Sequence, residues 1–329
     1  MSRETALFFL RLFDGGKRLF MFVSKTAMEK RRIASGIMAH CYQRTVNGGL
    51  LFYSVSDHLV YFTSYCLLAE KYGIKIYGTC QMPDHVHDSL AAESLECLSS
   101  FKRDLNSLFA RRQNEWCSQS GPLFENPYGS AVKIGAKNAR TNLIYVGNNP
   151  VERQLVKRAE LYRWNYIAYA VSDHPFSDRL VKRNVSWALR NSLREVEIQR
   201  ERCLPLTYPL LGRISRKLDI NEKRQLTDFI VKTYNVIDYD AALSFFDGSY
   251  DKYLVALHST TGSEYDLNEI SVGRSDRCYA QMTSLLLKEY GISDIHDILR
   301  MKDRTEVFNR LRSKTDISPR QIRKYLRLP

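Results

Sequence analysis

The spacing of apolar residues changes at about residue 170, and this change constrains the fold more than any other feature of the chain. Before it, short stretches of strand-like alternation are interleaved with stretches of helical spacing; after it, alternation almost disappears. From residue 33 the predicted order is strand, helix, hairpin, helix, strand, helix. This order fits an α+β fold, a small ferredoxin-like antiparallel sheet with helices on its face. We expect an all-α region to follow it.

The pattern also predicts the individual elements and the organisation of the chain. The predicted strands are residues 33–44, 74–82, 85–90 and 130–134, and the predicted helices before the change are residues 57–72, 92–116 and 136–147. The predicted later helices are residues 184–202, 220–234, 238–246, 273–290, 303–313 and 318–327. We therefore divide the chain into an N-terminal extension (1–30), a sheet domain (31–175) and a helical accessory domain (176–329).

Composition narrows the range of partners. The 329 residues include 49 Lys and Arg against 36 Asp and Glu, a net charge of +13, which favours an anionic polymer as partner. The apolar content of 44% excludes a disordered chain. Seven scattered cysteines without a CxxC pair indicate a reducing cytosol. No apolar run reaches the roughly 18 residues of a membrane span, so we expect no membrane association.

His85 and His87 are the first candidate site. On a strand, alternate residues point to the same face, so both imidazoles would project together while Val86 packs underneath. Two neutral imidazoles form half of a site for a divalent cation. A pair of histidines at this spacing also arises by chance, so the pair alone does not establish a metal site.

Tyr145 and Asn149 are the second candidate site, four residues apart on one face of a predicted helix. A tyrosine oxygen can act as a covalent nucleophile, and a carboxamide oxygen is a plausible further metal ligand. Structural roles remain open for both residues. Tyr145 is one of 20 tyrosines, most of which fill half-buried positions. Asn149 before Pro150 also fits a helix N-cap with proline at the first helical position, which would end the preceding helix.

The strings QMPDHVH and, about sixty residues later, IYVGNNPVERQLV together resemble the single-tyrosine transposases of the HUH endonuclease superfamily. The most similar branch is that of the REP-associated tyrosine transposases. Three further stretches support the resemblance: QRTVNGGLLF, GPLFENPYGSAVKI and ELYRWNYIAY. It covers about residues 33–170, so residues 31–175 are expected to form an HUH nuclease core.

The resemblance implies roles for the candidate residues. His85 and His87 would bind a divalent cation, Mg²⁺ or Mn²⁺, and Asn149 would complete the metal site. Tyr145 would attack a phosphodiester of single-stranded, hairpin-containing DNA, leaving a 5′-phosphotyrosine and a free 3′-OH before rejoining. A bacterial cytoplasmic, nucleoid-associated transposase is implied, and a homodimer is one arrangement left open.

Three positions depart from the family pattern, and these departures support an alternative function. The family usually has Asn at the position of Asp84 and apolar residues at those of Asp88 and Ser89. Strand alternation places Asp88 on the core face with Val86, where a carboxylate is costly unless it is paired. Either the strand ends at His87 or the chain is a decayed or specialised copy. The alternative to the enzyme is therefore a catalytically silent, domesticated DNA-binding protein that retains the fold.

Basic residues suggest where DNA would bind. Predicted helix 92–116 carries basic residues away from its apolar stripe, which are either a solvated face or phosphate contacts. Residues 303–327 resemble a helix-turn-helix, with Ser318 as N-cap and Pro319 at the first helical position. Residues 300–329 carry a net charge of +7, and we expect this segment to add DNA contacts without contributing to the core of residues 33–170. The candidate DNA-binding residues are Arg44, Lys102, Arg103, Arg111, Arg112, Arg320, Gln321 and Lys324.

Overall fold

The computed structural model describes residues 12–14, 17–19, 33–125, 128–181, 183, 185–259 and 276–328. In these ranges a short antiparallel hairpin precedes an antiparallel sheet of four strands. The hairpin consists of β1 (Leu12–Asp14) and β2 (Lys17–Leu19). The sheet consists of β3 (Ala39–Arg44), β4 (Lys75–Met82), β5 (His85–Ala91) and β6 (Gly129–Val132). The prediction of an α+β fold with a small antiparallel sheet is confirmed for this part of the chain.

The sheet has the spatial order β4-β5-β3-β6, and three long helices connect or follow its strands. They are α1 (Val55–Lys71), α2 (Leu95–Cys117) and α3 (Gly135–Glu152). β4 and β5 form the predicted hairpin across Pro83 and Asp84, with Met82 paired to His85. This tight turn places His85 at the first position of β5.

Helices cover both faces of the sheet. α2 lies on one face, where Asn106 donates a hydrogen bond to the Gln43 side chain of β3, and α1 packs beside α2. α3 lies on the opposite face, where Asn142 donates to the Ser89 hydroxyl of β5 at 2.7 Å. The expectation of helices on a single face is therefore wrong for α3. The physical reason is visible in β5, which is buried at every position and so needs cover on both faces.

The predicted helix break at Asn149 and Pro150 is also wrong, because α3 continues through both residues to Glu152. Asn149 is not an N-cap; its side-chain amide instead donates to the carbonyl oxygen of Tyr145 at 2.9 Å. Pro150 lies in the last turn, so it interrupts the helical hydrogen bonds close to their end. Gly147 allows close approach by a later helix, since a β-carbon there would lie 2.8 Å from Leu257.

The second half of the described chain contains helices and no strands, as predicted. Its α-helices are α4 (Trp187–Glu201), α5 (Tyr208–Ser215), α6 (Ile220–Tyr234), α7 (Tyr239–Ser244), α8 (Tyr250–Ser259), α9 (Arg277–Tyr290), α10 (His296–Arg300), α11 (Thr305–Lys314) and α12 (Pro319–Leu326). Short 3₁₀ helices occupy Val46–Gly48, Ala159–Leu161, Arg163–Asn165 and Ile167–Ala170. α5, α8 and α10 were missing from the sequence prediction. None of the described helices is long and apolar enough to cross a membrane.

The later helices share apolar cores with the sheet half. Residues of α4, α5 and α6 belong to the same buried cluster as α1, α2 and the sheet, so the core is continuous across residue 175. A second cluster joins α9–α12 to Leu50, Tyr53 and Cys117. The expectation that residues 300–329 contribute nothing to the core of residues 33–170 is therefore wrong.

Candidate active site

Three histidines lie on the face of the sheet that α3 covers. His85 and His87 project from alternate positions of β5, as predicted, and His40 projects from the neighbouring strand β3. The register places His85 opposite Arg44 and His87 opposite Tyr42. β3 and β5 are central strands, and the three histidine side chains on this face are buried.

His87 lies at the centre of this group. Its Nδ1 is 2.9 Å from His40 Nε2, and the two rings stack with centroids 5.1 Å apart. The His85 ring stands nearly perpendicular to the His87 ring, with centroids 4.8 Å apart. Burial lowers the pKa of His87 well below its usual value, and the neighbouring His85 and His40 side chains, followed by Arg44, lower it further. His87 is therefore a neutral imidazole.

Tyr145 meets the histidines edge to face from α3. Its ring centroid lies 5.4 Å from those of both His87 and His40. The contact between Asn142 and Ser89 anchors α3 one turn earlier and so directs Tyr145 toward β5. The structure thus brings together three of the predicted residues, from two motifs about sixty residues apart. Asn149 follows Tyr145 by one turn, with its amide nitrogen engaged by the helix backbone.

Asp84, in the turn before β5, orients His85. Its Oδ1 lies 2.5 Å from His85 Nδ1, which leaves Nε2 as the ring nitrogen of His85 that can bind another group. Its Oδ2 lies 3.8 Å from the Lys324 ammonium of α12. Burial alone would raise the pKa of Asp84, but His85, with help from Arg153 and Lys324, lowers it well below its usual value. Asp84 therefore remains ionised beside the histidines.

The start of α9 contributes a second carboxylate to the surroundings of the site. Asp276 lies 3.8 Å from Arg153 at the end of α3, and its backbone NH donates to the Arg153 carbonyl at 3.1 Å. Burial raises the pKa of Asp276 to about 6, and the negative charge of Asp84 adds to the effect. The C-terminal helices thus contact the site at two points, Lys324 and Asp276.

The side chains around His87 include some of the groups that commonly bind a divalent cation. Among the residues that the structure describes, no group of three or more His, Cys, Asp or Glu side chains is arranged to hold a metal ion. However, the buried Nε2 of His87 has no hydrogen-bond partner in the described part of the chain. A buried ring nitrogen without a partner is costly, and a cation bound through its lone pair removes that cost. Asn149 lies one turn beyond Tyr145 on α3, and its only described side-chain hydrogen bond is the one its amide nitrogen donates to the Tyr145 carbonyl.

Two of the predicted DNA-binding residues on α2 point inward. Lys102 is buried and donates to the Asp88 carboxylate, so its placement away from the apolar stripe is wrong. Arg112 donates to the Ser64 hydroxyl and the Leu206 carbonyl, which α1 and the segment before α5 supply. Lys102 is buried and Arg112 half-buried, and each donates to acceptors within the protein. Arg103 and Arg111 are exposed on α2, and Arg44 is exposed at the end of β3.

The predicted recognition helix, α12, also points two of its three candidate residues inward. Lys324 is half-buried beside Asp84, and Gln321 donates to the Cys278 thiol sulfur at 3.3 Å. Arg320 is exposed. Tyr128 and Trp164 belong to the apolar core.

Sequence analysis missed His40, Arg153 and Asp276. The alternation of β3 contained a signal for His40, because residues 40, 42 and 44 share a face and Arg44 was already a candidate. Asp276 reaches the site through the tertiary packing of α9, and no local sequence pattern predicts this position.

Comparison with known proteins gives one structural likeness. The chain is similar to a solved REP-associated tyrosine transposase bound to a REP hairpin, with a TM-score of 0.39 and 15% identity over 44% of this chain and 86% of that one. No protein-family model matches the chain, and no curated protein matches it. A TM-score this low does not establish a shared fold. The function proposed below rests instead on the geometry of the site and on the sequence motifs.

Proposed function

We propose that this protein is a metal-dependent transposase-type endonuclease that cleaves and rejoins single-stranded, hairpin-containing DNA with Tyr145 as nucleophile. The observation that carries the proposal is the packing of the Tyr145 ring against His87, whose buried Nε2 has no partner among the described residues. The chain order β3-α1-β4-β5-α2-β6, with spatial order β4-β5-β3-β6, supports a ferredoxin-like HUH core as its scaffold.

In this proposal His85, His87 and Asn149 would hold a Mg²⁺ or Mn²⁺ ion, and the ion would supply a positive charge beside a non-bridging oxygen of the scissile phosphate. The Tyr145 oxygen forms a bond to phosphorus and loses its proton. The bond from phosphorus to the 3′ oxygen breaks, and that oxygen gains a proton. The products are a 5′-phosphotyrosine and a free 3′-OH, and the reverse reaction rejoins the strand without an external energy source. In this proposal Arg44, which is exposed and lies opposite His85 in the strand register, would contact a neighbouring phosphate.

The side chains proposed to carry out this reaction are buried, which restricts the access of DNA to them. Tyr145 is 5% exposed, His85 7% and His87 1%, so a phosphate reaches them only after surrounding groups move. Near these residues, Lys324 contacts Asp84 and Asp276 contacts Arg153. The same burial favours the alternative function, a silent DNA-binding protein that keeps the fold without the reaction.

Cleavage of a labelled hairpin oligonucleotide tests the proposal and separates it from the alternative. Single-stranded DNA containing an imperfect palindrome, drawn from DNA flanking the coding region, is incubated with the full chain and Mn²⁺. The enzyme is expected to give a product with a free 3′-OH and a second product whose 5′ end stays attached to protein after denaturation. Binding without either product would contradict the enzyme and support the silent protein.

A further inference from the structure

His40 makes a buried contact with His87 for which the proposed reaction has no direct use. The two side chains are 4% and 1% exposed, and His40 Nε2 lies 2.9 Å from His87 Nδ1. The stacked rings restrict rotation of both imidazoles. Because His40 comes from β3 and His87 from β5, the strand pairing itself sets their separation.

This contact determines which nitrogen of His87 carries its proton. A hydrogen bond between two imidazole nitrogens needs one N–H donor and one lone-pair acceptor. A neutral imidazole carries a single ring proton, which in His87 lies either on Nδ1 or on Nε2. A proton on Nε2 would be a buried donor for which the described residues offer no acceptor. A proton on Nδ1 is donated to His40, and Nε2 then presents a lone pair to the site.

We propose that His40 is a positioning residue that accepts a hydrogen bond from His87 Nδ1 and so fixes His87 Nε2 as a metal ligand. The proposal rests on the proposed function, because it assigns His40 to the same metal site. His40 touches neither DNA nor cation in this role. Its effect on the cation passes through the tautomer and the ring orientation of His87, as outer-shell partners of metal-bound histidines generally act.

Two variants of His40 separate the hydrogen bond from the packing. His40→Phe keeps an aromatic ring to stack on His87 but has no nitrogen. His40→Gln replaces the ring with an amide whose oxygen can accept from Nδ1. Mn²⁺ affinity is measured on the full chain by electron paramagnetic resonance titration, without DNA. We expect His40→Phe to weaken Mn²⁺ binding by roughly 10–100-fold and His40→Gln to recover most of that loss.

A second readout does not depend on metal. The ¹⁵N shifts of His87 in the metal-free protein, assigned with His87→Gln, report its tautomer. The proposal requires the Nδ1–H form in the native chain and an averaged tautomer in His40→Phe. The Nε2–H form in the native chain would overturn it, as would equal Mn²⁺ affinity in His40→Phe and native protein. Failure of the proposed function alone would give a different result: His87 would have the Nδ1–H form, but the protein would not cleave DNA.

Discussion

The Lys102 ammonium on α2 donates a hydrogen bond to the Asp88 carboxylate on β5, and the two side chains are 1% and 0% exposed. The Thr79 hydroxyl of β4 donates to the other oxygen of the same carboxylate at 2.7 Å. The burial of Lys102 alone would lower its pKa, but the negative charge of Asp88 raises it above the usual value. A carboxylate on a core face and a buried lysine are each unusual in a sequence. Here the two form an ion pair with each other.

This pair predicts a large and asymmetric effect on stability. Lys102→Met leaves the Asp88 charge buried without its partner, and we expect it to lower the free energy of unfolding by about 3–5 kcal/mol. The double variant Lys102→Met with Asp88→Leu removes both charges and should recover most of the loss. Urea unfolding of the single and double variants measures both effects. If Lys102→Met costs no more than an exposed substitution such as Arg103→Met, the pair does not stabilise the fold.

The Lys102–Asp88 pair also shows where sequence interpretation succeeds and where it stops. Local alternation predicted β5, the turn at Asp84 and the common face of His85 and His87, because these depend on neighbouring residues. The cost of a buried Asp88 was predictable as well. The pairing of Asp88 with Lys102 was not predictable, because Lys102 reaches β5 through the packing of α2 on the sheet. Asp276 was missed for the same reason, because the tertiary packing of α9 brings it to the site.

His296 predicts a loss of stability at alkaline pH. Its two ring nitrogens lie 2.9 Å from Asp57 and 2.5 Å from Asp294, an arrangement that needs the protonated ring. Burial alone would lower the pKa of His296, but the two carboxylates raise it from 6.5 to about 9. Because the folded-state pKa is the higher one, the stabilisation is complete below pH 6.5 and disappears as the pH rises through 9. The shift corresponds to about 3 kcal/mol.

Urea unfolding at several values between pH 6 and pH 9.5 measures this dependence. His296→Gln keeps hydrogen-bonding groups but has no proton to lose, so its free energy of unfolding should fall less across the same range. The difference between the two proteins isolates His296 from other titrating groups, including Asp276. Parallel curves for the native protein and His296→Gln would contradict the assignment of this charge.

The metal requirement follows from the neutral ligands of the proposed site. Imidazole nitrogens suit Mn²⁺ better than Mg²⁺, so Mn²⁺ should support DNA cleavage at least as well as Mg²⁺. Excess EDTA should abolish cleavage and leave hairpin binding largely intact, because the basic surface does not depend on the cation. Gel assays of cleavage and of binding, on the same samples, measure the two effects separately. Undiminished cleavage in EDTA would exclude the metal-dependent reaction.

Exposed arginines on α2 predict the salt dependence of DNA binding. Arg103 and Arg111 face solvent, whereas Lys102 and Arg112 are engaged within the protein. If each exposed arginine neutralises one phosphate, substituting both with Ala should reduce the slope of log affinity against log salt concentration by about 2. Arg213 on α5 is similarly exposed, and Arg213→Ala serves as the matched control. Equal slopes for all three proteins would mean that α2 forms a solvated face.

The identity of the nucleophile tests the central claim most directly. Tyr145→Phe keeps the ring that packs against His87 and His40 and removes one hydroxyl group, so folding and hairpin binding should stay near native. The native chain, incubated with hairpin DNA and Mn²⁺ and then digested with protease, should yield a nucleotide adduct on the peptide that contains Tyr145. Mass spectrometry of that peptide is the measurement. An adduct on Tyr145 in the native chain and none in Tyr145→Phe is the expected result; an adduct on any other tyrosine, or one that persists in Tyr145→Phe, would contradict the account.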